Sequence, residues 1–152
     1  MPETADPLYS KALLRLAADA AGAGRLPRPD ASATAANPAC GDRVTMELTR
    51  DADRITALAH DTRACILTQA SAAILATAAP GLDHSDLAVL EAGVTAMLKD
   101  GAPPPLAPYA VFDGLAAMPG RHVCVLLPFE ALKKALELAE PGGARTEIET
   151  RR

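Results

Sequence analysis

Three cysteines and one aspartate are the residues of this chain best equipped for chemistry. Cys40 and Asp42 flank Gly41 in the stretch Asn37-Pro38-Ala39-Cys40-Gly41-Asp42, and the other two cysteines are Cys65 and Cys124. Glycine takes backbone angles that other residues avoid, so a Cys-Gly-Asp turn lets a thiol and a carboxylate face the same way. A free cysteine is most often only a small buried residue. Cys40 departs from that default, because burying a structural thiol in a polar turn gains little. Cys65 and Cys124 each stand at the predicted start of a helix, where unpaired N–H groups and the helix dipole lower thiol pKa values to roughly 3.5–7.5. Three thiolates and a carboxylate form a four-ligand set suited to tetrahedral zinc, or to iron within a sulfide cluster. The long, unequal gaps between the cysteines match no local metal motif, so spacing alone leaves open whether the four residues meet.

The elements that must position them follow from period and punctuation. Asp6-Pro7 is a good helix start, with Leu8, Ala12, Leu13, Leu16, Ala17 and Ala20 at helical spacing and Gly22 and Gly24 ending the run. Leu26 to Ala36 is rich in Pro, Ala and Ser without a clear period, and reads as a loop with room for one weak edge strand. Val44, Met46 and Leu48 alternate with Thr45, Glu47 and Thr49, the pattern of a half-buried strand. Asp51-Ala52-Asp53 turns the chain into a second, less regular strand over Arg54 to His60, which gives an antiparallel hairpin.

A helix is predicted from Cys65 to Ala79, stopped by Pro80-Gly81. Another follows an Asp83 cap, carries Asp86 in its first turn, buries Leu87, Leu90, Val94, Met97 and Leu98, and closes at Gly101. Pro103, Pro104, Pro105 and Pro108 make 102–108 a stiff connector, and 112–118 leaves room for a short helical turn. The last helix is expected between Cys124 and Glu140, with Leu127, Ala131, Leu132, Ala135, Leu136 and Ala139 as its apolar face and Pro128 confined to its first turns. The layout is α+β, a small antiparallel sheet packed against several α-helices.

At 152 residues the chain is expected to be a single domain over 1–152, with a disordered polar tail from about 141. Hydrophobic residues at 49% and charged residues at 22% are an ordinary globular balance. With no Trp, two Tyr and two Phe, and much of the apolar fraction in alanine, the core should be closely spaced. A net charge of −4, with no basic stripe or stacking-aromatic cluster, argues against nucleic acid as partner. The longest apolar stretch, 64–79, is broken by Thr68, Gln69, Ser71 and Thr77 and is too short for a membrane span. No basic region followed by an apolar run stands in 1–7, so no signal peptide is expected and the cytoplasm is the default. An odd number of cysteines makes no disulfide framework and favours reduced thiols or metal ligands. A thiol enzyme acting on a small molecule is the weaker reading, because nothing pairs a Cys with a His and an orienting Asp or Asn, and no phosphate-cradling loop or dinucleotide motif is present.

Three segments together resemble the NifU N-terminal family, the IscU/SufU-like scaffolds of iron–sulfur cluster assembly. Asn37-Pro38-Ala39-Cys40-Gly41-Asp42 is similar to that family's N-P-x-C-G-D. Ala64-Cys65-Ile66-Leu67-Thr68-Gln69-Ala70-Ser71 resembles G-C-A-I-S-x-A-S, and Arg121-His122-Val123-Cys124-Val125-Leu126-Leu127-Pro128-Phe129 resembles R-x-x-C-A-x-L-x-W. Leu8-Tyr9 fits the family's opening helix, and the resemblance runs from about Leu8 to about Glu140. The SufU branch is the nearer one. The stretch between Cys65 and Cys124 suggests its insertion, Val123 stands where IscU has a histidine, and Arg121 takes the place of the SufU arginine. His122 is one residue out of register and reads as a surface or supporting residue rather than a ligand, while His60 and His84 read as solvated. The chain departs from the family at Thr62-Arg63-Ala64, which replaces G-x-G before the second cysteine, at Ala73 for a serine, and at Phe129 for the tryptophan.

The resemblance implies a SufE/NifU-like fold with the ligand cluster at one edge of the sheet. It implies work in iron–sulfur cluster assembly beside a cysteine desulfurase, with apo iron–sulfur proteins or carrier proteins as further partners. Cys40, Asp42, Cys65 and Cys124 would hold zinc or a [2Fe–2S] cluster, with Arg121 and His122 in support. Cys40 would accept sulfane sulfur, and Asp42 would be the releasable oxygen ligand. A scaffold and a zinc-dependent sulfur acceptor, which would make the protein a sulfurtransferase, use the same four residues, and both readings stay open. Loss of the two glycines before Cys65 favours a third, a zinc-stabilised, divergent partner-binding protein without assembly activity.

Overall fold

The structure, a computed structural model, describes residues 10–139. Its first helix, α1, runs over Lys11–Asp19. Ser10 caps it by accepting a hydrogen bond from the Leu13 N–H at 3.2 Å, and Ala20 closes it in the left-handed region with φ 48°. Asp6, Pro7, Leu8 and Tyr9, expected at the start of this helix, lie outside the described residues, as does the tail from about 141. Leu13 and Ala17 are its buried face.

The chain then passes Gly22, whose conformation (φ 80°) and place are both reserved for glycine: a Cβ there would sit 2.4 Å from Ala76 Cβ. Around it the Gly22 carbonyl accepts from the His60 N–H, and the Gly24 N–H donates to the His60 carbonyl, both at 2.9 Å. Arg25 and Leu26 next satisfy the buried carboxylate of Glu47, through the Arg25 guanidinium at 2.7 Å and the Leu26 N–H at 2.8 Å.

Three strands follow, β1 (Ala31–Asn37), β2 (Asp42–Asp51) and β3 (Arg54–Arg63), paired antiparallel in the order β1-β2-β3. The predicted hairpin is β2–β3, with Ala52 at φ 56° in its turn and a register shift between Thr49 and Arg50 that accounts for the irregular second strand. The weak edge strand expected within 26–36 is β1. It lacks a clear period because its inward residues are alanines. Ala31 and Ala35 are buried beneath the last helix, where a larger side chain would hold that helix off. Val44, Met46 and Leu48 point into the same core, and Thr34–Thr45 and Thr49–Thr56 hydroxyl pairs at 2.7 Å mark the opposite, polar face.

Helix α2 covers Ile66–Ala78 and is buried on most sides, as its continuous apolar run requires. Helix α3 covers His84–Asp100, opened by the predicted Asp83 cap, which Asp86 completes into a capping box, and closed by Gly101 at φ 72°. Short 3-10 turns at Ala107–Phe112, Leu115–Ala117 and Pro119–Arg121 carry the connector to α4, His122–Ala139. Phe129 is fully buried against the Tyr109 ring, centroids 6.2 Å apart, so an aromatic core contact is kept where the family has tryptophan.

Two expectations fail. Helix α4 starts at His122, two residues before the expected Cys124, so Pro128 falls inside it at the end of the second turn, where its missing N–H removes a helical hydrogen bond. His60 is buried, not solvated: its Nε2–H donates to the Ala21 carbonyl at 2.9 Å and its Nδ1 faces the Thr62 hydroxyl at 2.8 Å. Strand period places position 60 on the core face beside Met46, and the loop through Gly22 covers it. His84 is exposed at the start of α3. Among the described residues no helix is long and apolar enough to cross a membrane.

Candidate metal centre

Sheet register brings the candidate residues to one end of the molecule. Asn37 pairs with Asp42, and Arg43 with Arg63, so the β1–β2 turn and the β3–α2 junction lie side by side. The turn is set by Asn37, whose side-chain oxygen accepts from the Ala39 N–H at 3.2 Å. Its carbonyl accepts from the N–H groups of Cys40 and Gly41 at 3.2 and 2.9 Å. Gly41 completes the turn at φ 78°. The result leaves Cys40 exposed on the turn and Asp42 buried at the first position of β2.

Cys65 is the half-buried N-cap residue of α2, and Cys124 is buried near the start of α4. One donor atom from each of Asp42, Cys65 and Cys124 falls within 4.8 Å of the others. Cys40 stands outside that group but lines the same open cavity of about 690 Å³, together with Arg121, Met118 and Val123. Of the four predicted ligands, three are therefore gathered closely and the fourth is at the mouth. Arg121 lines the cavity; His122 does not, because its Nε2–H is directed to the Leu115 carbonyl at 2.7 Å.

The electrostatics differ from expectation at Cys124. A lowered thiol pKa was expected from its place near a helix start. Burial instead pushes the Cys124 thiol up to about 11, reinforced by Cys65, Asp42 and Cys40 around it. Desolvation and like charge outweigh the helix end here. Such a group of two thiols and a carboxylate, collected away from water, takes either protons or a cation, and its donors suit zinc or iron.

Residues that the sequence did not single out tie together the elements around the group. Pro128 has no N–H to offer the Cys124 carbonyl four residues earlier, and the Thr68 hydroxyl donates to that carbonyl at 2.9 Å. The Ser71 hydroxyl donates to the Val125 carbonyl at 2.6 Å, a second tie between α2 and α4. Gln69 donates from its side chain to the Ala64 carbonyl at 2.8 Å, bracing the junction that lacks glycine. The proline inside an apolar run was the available signal, since a helical proline leaves a carbonyl in need of a donor; which hydroxyl answers it is set by packing.

Residues 8–136 match the model of the NifU-like N terminal domain. The fold is similar to that of a nitrogen-fixing NifU-like protein (N-terminal) from Brucella abortus, with 30% identity, a TM-score of 0.79, and 91% of this chain and 98% of that chain covered. It is also similar to a putative iron–sulfur cluster assembly scaffold protein for the SUF system from Fervidobacterium islandicum AW-1, with 23% identity, a TM-score of 0.76, and 85% and 96% covered. No curated protein matches the sequence. The match over most of the sequence, joined to a three-stranded antiparallel sheet backed by helices, means that the chain belongs to the NifU-like N-terminal domain family.

Proposed function

We propose that this protein is an iron–sulfur cluster assembly scaffold, with Asp42, Cys65 and Cys124 holding the incoming metal and Cys40 receiving the sulfur. One observation carries the reading: three soft and hard donors lie within 4.8 Å at the floor of a cavity whose mouth bears a free, exposed thiol. Iron and sulfane sulfur are the substrates of such a site, and an external two-electron donor must reduce the sulfane sulfur before it enters a cluster as sulfide. The partner that supplies sulfur is a cysteine desulfurase carrying it as a persulfide. The Cys40 thiolate attacks the terminal sulfur of that persulfide, a new S–S bond forms at Cys40, and the desulfurase cysteine leaves as thiolate, with no net oxidation. Exposure suits Cys40 to this exchange better than the buried Cys124. Asp42 binds such a metal less firmly than the thiolates and is the ligand that releases when the product is passed on.

Metal analysis of protein purified without oxygen tests the reading. A sulfide-to-iron absorbance band is the expected result. One zinc per chain without visible absorbance, with a persulfide on Cys40 after incubation with desulfurase and cysteine, replaces the scaffold by a zinc-dependent sulfur acceptor. That second reading is favoured by the gathering of three donors while Cys40 stands outside them, the pattern of a zinc ion with three protein ligands and an open fourth position. Neither cluster nor persulfide would leave a divergent partner-binding protein.

A further inference from the structure

We propose that Thr68 is a positioning residue for the thiol site, its one hydroxyl setting the separation between the Cys65 side chain and the Cys124 backbone. The inference rests on the thiol-site reading above. Thr68 is fully buried in the first turn of α2. Its Oγ1 donates to the Cys124 carbonyl at 2.9 Å and lies 3.5 Å from Cys65 Sγ. A hydroxyl has a single proton to give. Pro128 decides where that proton goes, because the Cys124 carbonyl has no backbone N–H four residues on and would otherwise be buried without a donor. With the proton committed, the oxygen presents a lone pair to Cys65, and the free thiol's S–H points at it.

Ser71 provides an internal contrast. Its hydroxyl ties the same two helices through the Val125 carbonyl at 2.6 Å and makes no hydrogen bond to a cysteine. Two similar helix-to-helix ties exist, and only one of them also meets a ligand. A purely architectural role would make the two hydroxyls interchangeable. A positioning role makes Thr68 distinct, since donor atoms must be held to about half an ångström for a site to be preorganised.

The test compares Thr68→Val, Thr68→Ser and Ser71→Ala in the full chain. Zinc affinity is read by competition with a chromogenic chelator, and the labelling rate of Cys65 by iodoacetamide in metal-free protein is read by peptide mass spectrometry. The tie to the Cys124 carbonyl persists when Cys65 is a metal-bound thiolate, and its loss in Thr68→Val is expected to weaken zinc affinity by about 10–100-fold, while in metal-free protein the loss of the acceptor for the Cys65 S–H speeds Cys65 labelling. Thr68→Ser should restore both, and Ser71→Ala should leave both within about threefold of the wild type, far below the usual effect of a supporting contact. Should Thr68→Val not fold, the Pro128→Ala/Thr68→Val double variant regains a backbone donor for the Cys124 carbonyl, and the same readouts and expectations apply to it. Unchanged affinity and labelling in the valine variant, or an equal loss in Ser71→Ala, would overturn the role. A wild-type protein that takes up no zinc while Thr68→Val still labels faster counts against the metal-site reading and in favour of the Thr68 contact.

Discussion

At the scale of single residues, side chains named by their chemistry behave according to how deeply the fold buries them. Cys40 and Cys124 are the same residue type, yet one is an exposed thiol on a turn and the other has its pKa raised by burial and by Cys65, Asp42 and Cys40. His60 shows the same control. Burial lowers its pKa from 6.5, against the opposing pull of the Ala21 carbonyl and Asp61. The unfolded chain therefore binds a proton just below 6.5 where folded His60 resists it, and the folded state loses stability as pH falls through that window. The urea midpoint should drop between about pH 7 and about pH 5 in the wild type and drop less in His60→Gln; parallel curves would remove His60 from the account. The cysteines and Asp42 were legible from the sequence because their types and the Asn37 to Asp42 turn are local features. The burial of His60 was not, because the loop that covers it comes from a distant segment around Gly22.

Among the elements, those with a strong period or a cap were the most readable. Strand β2, the capping box of α3 and its closing glycine follow from residues within a few positions of one another. Strand β1 and the start of α4 were less so. β1 is a strand because β2 pairs with it and α4 rests on its alanines, and α4 extends past Pro128 because Thr68 supplies the donor that proline lacks. The β2–β3 turn is a local conflict: Ala52 holds φ 56°, a region that costs a non-glycine residue about 1–2 kcal/mol. Ala52→Gly is expected to raise unfolding stability by about 1 kcal/mol, after the entropy glycine adds to the unfolded chain. The turn lies at the end of the hairpin away from Asp42, so zinc or iron uptake should be unaffected. Equilibrium denaturation with metal titration checks both halves, and a stability loss would mean that the turn relaxes without glycine.

For the whole molecule, the site is a joint between segments far apart in sequence, and anything bound there links them. A metal that binds the folded chain alone stabilises it by mass action, about 2.7 kcal/mol at a hundredfold excess over its dissociation constant. For a domain of this size that is about 5–10 °C in melting temperature. The buried cluster from Leu13 through Val44, Leu75 and Leu98 to Leu132 includes Cys124 and has Cys65 packed against it, but most of its members lie outside the site. Chelation should therefore lower the melting temperature by about that amount while far-ultraviolet circular dichroism keeps its helical signal. Unfolding on chelation at room temperature would instead mark the metal as a structural necessity, as a zinc-stabilised binding protein requires.

By itself the sequence determined the donor types, the glycine-jointed turn, the hairpin and the capped helices, because each is a property of neighbours along the chain. Only the tertiary structure decided that Asp42, Cys65 and Cys124 stand within 4.8 Å while Cys40 waits at the cavity mouth. It alone set Thr68 between two of them. Period and capping report which way a residue faces its own element. The distance between donors on different elements is fixed by strand register and by how closely α2 and α4 pack, and no local pattern carries that distance.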